Sequence, residues 1–227
     1  MRALTIFFFS LFSLPLVLNA QSVDEMLQKV SAAIESGQHG QAVSYFRQTI
    51  GLNIDRTEMF YWTSIDKSSE ISSKLAVELA SAYRRNRNYD KAYLFYKELL
   101  QKTPDNVDYL EACAEMQVCR GHEKEALRMY EKVLQLDTDN LAANIFLGNY
   151  YYLMAEKEKK RLDTDFKKLA SPTKMQYARY RDGLSKVFST GYQKARNSLR
   201  KVISQFPSTE AQKTLDKILR IEKEVNR

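Results

Sequence analysis

Small, aromatic and apolar side chains return along this chain at a fixed interval. Leu79, Ala80, Tyr83, Ala92, Tyr96 and Pro104 mark the stretch 73–106, and Ala92, Tyr96 and Pro104 recur 34 positions later as Ala126, Tyr130 and Thr138. The second stretch, 107–140, also carries Leu110, Cys113 and Ala114, with Gln117 standing where an aromatic is expected. Within each stretch the apolar spacing of three and four residues predicts two amphipathic helices joined by a short polar turn. Gly121 follows the first helix of its stretch, where a residue able to take a left-handed conformation ends a helix at little cost. Ala92 and Ala126 fall where helix axes should cross, and a larger side chain there would push the helices apart. The two stretches close alike, on Pro104-Asp105-Asn106 and Thr138-Asp139-Asn140.

This pattern resembles the tetratricopeptide repeat family, in which antiparallel helix pairs pack on the next pair. The likeness covers residues 73–153 and 191–207, and a degenerate unit at 23–56 retains Ala42 and Phe46 at equivalent places. It implies an all-α fold: a tetratricopeptide-like superhelix of antiparallel helix pairs, with a long helical-hairpin insertion in the last repeat and a C-terminal capping helix. It also implies a groove lined by the first helices of successive units, which receives a peptide or a helix of another protein. Carried over by position, that groove includes Ser81, Arg84, Glu111, Glu115, Asn149 and Tyr152. The family's peptide-carboxylate clamp needs Lys, Asn and Arg where this chain has Val77, Ala112 and Phe146, which argues against binding of that kind.

The third repeat, 141–207, is stretched. From Tyr83 to Ala92 is nine residues, whereas the equivalent step from Tyr151 to Ala195 is 44, an insertion of 35 residues at about 156–190. Ile145, Gly148, Tyr152, Ala155, Leu162, Phe166 and Leu169 continue a helical apolar spacing through it. Ser171-Pro172 is read as the cap and first-turn proline of a second long helix, whose apolar face runs through Tyr177, Tyr180, Leu184, Phe188, Gly191, Ala195, Leu199, Val202 and Phe206. The expectation is an antiparallel arm reaching roughly 27 Å beyond an ordinary repeat, its tip near 170–173. Such an arm either docks a partner or folds back over its own neighbour.

After Pro207, Ser208 or Thr209 can cap a last helix, 208–227, whose buried stripe is Ala211, Leu215, Ile218 and Leu219. Between the degenerate unit, 21–56, and the first regular one lies a junction, 57–72, containing Met59-Phe60-Tyr61-Trp62. These aromatics either fill the irregular junction or form a ligand platform.

Composition adds the cellular setting. An apolar run from Leu4 to Leu18, then Asn19-Ala20, reads as a secretory signal peptide over 1–20, too short and interrupted to favour a spanning helix. The expected localisation is exported, with the periplasm first and a secreted or membrane-associated state second. The remaining length suits one elongated solenoid without a second domain. Cys113 and Cys119, six positions apart on one helix, lie roughly 9 Å apart along its axis and should not bridge.

Charge is unevenly spread. Residues 21–155 carry 15 Lys or Arg against 19 Asp or Glu, while 156–227 carry 19 against 9. The basic end, including Tyr177, Arg179, Tyr180, Arg181, Arg196 and Arg200 as arm or basic surface, suits an anionic lipid, envelope polymer or acidic protein as well as a simple solvated face. Nucleic acid is the weaker partner for an exported chain.

Chemistry of other kinds leaves no mark. His39 and His122, the two histidines, fall in turns without metal-ligand spacing, and no nucleophile elbow, phosphate loop or zinc pattern occurs. No catalytic, cofactor or metal residue is assigned, so the expected class is a non-enzymatic adaptor binding a protein or peptide. The alternatives are an envelope binder acting through its basic third and, last, an enzyme or enzyme subunit.

Overall fold

The structure is a computed structural model and describes residues 23–225. The signal-peptide segment expected at 1–20 lies outside those residues. The described residues are helical throughout, with no strand among them. They divide into two compact units, one ending at Gly121 and the other starting at His122, inside the second regular repeat.

The first unit contains α1 (23–35), α2 (His39–Leu52), α3 (Ile54–Ser64), α4 (Glu70–Arg85), α5 (Tyr89–Lys102) and α6 (Val107–Cys119). The second helix of one pair packs on the first helix of the next, α2 on α4 and α5 on α6. Ala92 is fully buried on α5, as a crossing position requires, and Ala42 and Phe46 of the degenerate unit are fully buried on α2. The junction is more ordered than a linker, because α3 forms there and packs on α2 and α4. Its start is capped by Asn53, whose side chain accepts from the Arg56 amide.

The helix ends follow local chemistry. Asn106, the last residue of the first regular repeat, accepts from the Tyr109 amide and caps α6. Asn140 accepts from the Ala143 amide in the same way at the start of the third repeat, so the paired Asp-Asn endings are helix N-caps. At the far end of first helices, Gly121 takes φ +78° and its repeat equivalent Arg87 takes φ +58°. Arg87 completes a Schellman turn in which its own amide bonds the Arg84 carbonyl and the Asn88 amide bonds that of Tyr83.

In the second unit α7 (Glu123–Leu136) packs on α8 (Leu141–Lys167), which pairs with a long run of α9 (Lys174–Val187), a π turn (Phe188–Tyr192) and α10 (Gln193–Gln205). Ala126 is fully buried on α7. The expected hairpin is present, but its first arm is shorter than anticipated. α8 has 27 residues against 16 in α4, a gain of roughly 17 Å rather than 27 Å. Thr173, not Ser171, caps α9, through a capping box with Gln176, and Pro172 stays outside the helix. α11 (Thr209–Val225) starts from Ser208, whose hydroxyl accepts from the Ala211 amide, and packs along α9, the π turn and α10.

Four positions of the expected apolar stripes are exposed: Ile145, Leu169, Tyr177 and Phe206. Ile145 is exposed because α8 buries Asn144, Leu147, Gly148, Tyr151 and Ala155, a broader band needed by a helix with α7 on one side and α10 on the other. Phe206 is exposed because it is the extended C-cap of α10, where the chain has left the helical seam. The π turn was not anticipated either. Its extra residue brings both Gly191 and Tyr192 to buried positions, and the hydroxyls of Ser189 and Thr190 both donate to the Lys186 carbonyl.

Candidate interaction surfaces

In the first unit, α4 supplies Ser81 and Arg84, and α6 supplies Glu111 and Glu115. Arg84 reaches from one first helix to the next and pairs with Glu115 at 2.7 Å. Partial burial works against the guanidinium charge, but Glu115 and the Tyr96 hydroxyl outweigh it and hold Arg84 above the usual arginine range. Ser81, Glu111 and Glu115 are part-buried, so the surface is polar and anchored rather than a fringe of loose side chains. Arg47 of α2 forks onto Glu78 of α4 with bonds of 2.8 and 2.6 Å. The clamp-equivalent residues Val77, part-buried, and Ala112, buried, offer no charged grip.

The aromatic junction closes on itself. Tyr61 is fully buried and donates to Glu98 Oε1 at 2.7 Å. Its ring meets Phe95 edge-on at 5.6 Å, and half-exposed Trp62 stacks on Phe95 at 5.4 Å. The Lys67 ammonium sits 3.9 Å from the Tyr61 ring centroid and donates to the Tyr61 and Ile65 carbonyls. A cation of the chain itself therefore occupies the face that a cationic ligand would use. Beside it, Glu58 of α3 accepts from Lys91 and from Tyr83. Burial raises Glu58, yet the bonds from Lys91, Tyr83 and Trp62 leave it below the usual carboxylate range. Burial and Glu58 push Tyr83 up to about 12.

In the second unit Asn149 is exposed on α8, while Tyr152 packs edge-on against Tyr192 at 6.1 Å. The basic residues separate into two groups. Arg179 and Arg200 are exposed, whereas Arg181 donates to the Val225 carbonyl at 3.1 Å and Arg196 pairs with Glu222 at 2.5 Å, both holding α11. Tyr177 is half exposed, and Tyr180 stacks on Phe166 at 4.3 Å while donating to Asp163 at 2.6 Å.

The described residues enclose open clefts, two of which lie beside these surfaces. One, of about 370 Å³, lies between α1 and α3, with Leu27, Met59 and Phe60 among its walls. The other, of about 430 Å³, lies between α8 and the π turn, floored by Met154, Ala155, Val187 and Gly191 and rimmed by Lys157 and Arg161.

The sequence reading missed the carboxylate partners of the buried tyrosines. Tyr151 donates to Glu131 and Tyr192 to Glu156, so these acids serve packing rather than solvation. The available signal was a tyrosine at a core position, since a buried phenol needs an acceptor. Cys113 is buried, its thiol pushed up to about 12 by burial, and Cys119 is exposed; both are thiols. Among the described residues no group of three His, Cys, Asp or Glu side chains could hold a metal ion.

A tetratricopeptide repeat family model matches residues 75–107, the α4–α5 pair. A crystal structure from Bacteroides ovatus ATCC 8483, described as a candidate protein binding protein, is 84% identical over 89% of this chain and 98% of that chain, with a TM-score of 0.80. The chain belongs to the tetratricopeptide repeat family. Another repeat protein of known structure, from Parabacteroides merdae ATCC 43184, is 17% identical over 89% of this chain and 74% of that chain, with a TM-score of 0.40. Curated proteins yield no match. The tetratricopeptide fold suggests a scaffold for protein–protein interaction.

Proposed function

We propose that the protein is an exported adaptor that holds a protein or peptide partner on the first-helix surfaces of its repeats, with no reaction of its own. Export is attributed to the apolar segment Leu4–Leu18, and the periplasm is the compartment proposed. The observation that carries the reading is the Arg84–Glu115 pair at 2.7 Å, which ties two successive first helices and presents Ser81 and Glu111 on an already ordered surface. A preordered surface reduces the ordering cost of association. The description of the 84% identical relative as a candidate protein binding protein supports the same reading.

Photo-crosslinking from Ser81 and Glu111 in native envelopes, with Lys213 on α11 as the control, tests it. A discrete protein adduct from the two first-helix positions, absent from the control and diminished by Arg84→Glu, is expected. Adducts identical from all three positions, or none from Ser81 and Glu111, would reject the proposal.

A further inference from the structure

The end of the hairpin combines features that a merely solvated turn does not need. From Phe166 to Arg181 the chain carries five cations, Lys167, Lys168, Lys174, Arg179 and Arg181, and no carboxylate. In the same stretch Leu169, Met175 and Tyr177 are 37%, 65% and 51% exposed. Neither cleft described above includes any of these residues. The segment is also stiff: the capping box of Thr173 and Gln176 fixes the start of α9, and the Phe166–Tyr180 stack ties α9 to the end of α8.

We infer that this tip docks on an anionic lipid surface. Leu169, Met175 and Tyr177 enter the boundary between headgroups and acyl chains, and the surrounding cations meet lipid phosphates. Exposed apolar side chains on a hairpin end suit a deformable bilayer face, because a lipid surface needs no matching groove, and tyrosine suits that interface with its apolar ring and polar hydroxyl. Lysine and arginine can lay their methylene stems along the same apolar layer while the charge stays in water. Not every cation counts equally. Lys168 pairs with Asp165 at 2.9 Å, Arg181 is held by the Val225 carbonyl and the charge of Lys167 acts on the Asp163 carboxylate, which leaves Lys174 and Arg179 as the main contacts. Each cation near an anionic bilayer raises the partition roughly fivefold, so two give a preference of about twenty-five-fold. No helix of the described residues is long and apolar enough to cross a membrane.

Sedimentation of the purified chain with vesicles of phosphatidylcholine, alone or with about 30% phosphatidylglycerol, supplies the test. Binding should favour the anionic vesicles at least about tenfold and weaken with added salt. Replacing Lys174→Ser with Arg179→Ser should lower it at least about tenfold. Leu169→Ser with Met175→Ser and Tyr177→Ser should lower it at unchanged charge, whereas Lys213→Ser with Lys217→Ser on α11 should leave it within about twofold. Circular dichroism verifies that each variant stays helical. The inference falls if the α11 pair costs as much as the tip pair, if the apolar variant binds like wild type, or if anionic vesicles are not preferred. Capture of an acidic polypeptide by the tip without vesicle binding would overturn it as well.

Discussion

Gly191 lies against Ala155 with no room for a methyl group, since a Cβ built on it would stand 2.6 Å from the alanine Cβ. This contact sets how near the π turn approaches α8. Alanine at 191 would gain up to about 1 kcal/mol of helix propensity, yet overpacking against the Ala155 Cβ costs about 1–3 kcal/mol. Gly191→Ala should therefore lower the thermal midpoint, and Ala155→Gly in the same chain should recover part of the loss. Thermal unfolding of the two single variants and the double variant measures the coupling. Additive effects would show that the two residues do not press on one another.

Arg87 and Gly121 occupy one repeat position and share a left-handed backbone, at φ +58° and +78°. A side chain in that conformation costs about 1–2 kcal/mol, partly offset because glycine loses more freedom on folding. Arg87→Gly should stabilise the chain by about 0.5 kcal/mol and Gly121→Ala should destabilise it by about 1 kcal/mol. Urea unfolding checks both signs.

The Glu58 carboxylate is held below the usual range, so its contribution is complete above the unfolded glutamate pKa of about 4.3 and is lost as pH falls through the lower folded value. Glu58→Gln should accordingly cost stability at pH 7 and cost distinctly less at about pH 3. Tyr83 works from the other side. Its hydroxyl is raised to about 12, so the stability it adds is present below about 10 and fades between about 10 and 12. Urea midpoints across pH, compared for wild type and Glu58→Gln, decide; a gap that stays constant down to pH 3 contradicts the assignment.

Arg196 and Glu222 form the main ionic tie between α10 and α11, with side chains 15% and 27% exposed. Removing one partner strands the other in a partly dry site, at a cost of about 2 kcal/mol after discounting for solvent access. Arg196→Met should raise hydrogen exchange across 209–225 while leaving α4 and α5 protected. Uniform deprotection of the whole chain would mean that α11 is not an independently opening element.

The repeat units, their turns and their caps are legible in the sequence because each is settled by neighbours within a few positions. Asn106 and Asn140 cap the helix that starts at the next residue by accepting from the amide three residues on, and a buried alanine at 92 or 126 announces a helix crossing. Tertiary structure alone decided which charges are spent inside. Tyr61 meets Glu98 across 37 positions and Tyr192 meets Glu156 across 36, and no local pattern distinguishes those acids from solvated ones. The same holds for Arg181 and Arg196, which continue the basic run of the arm but are claimed by α11 once it packs alongside. The π turn likewise answers to helix-on-helix phasing: one added residue lets Gly191 and Tyr192 both face inward, a demand set by α8 and not by the segment's own propensities.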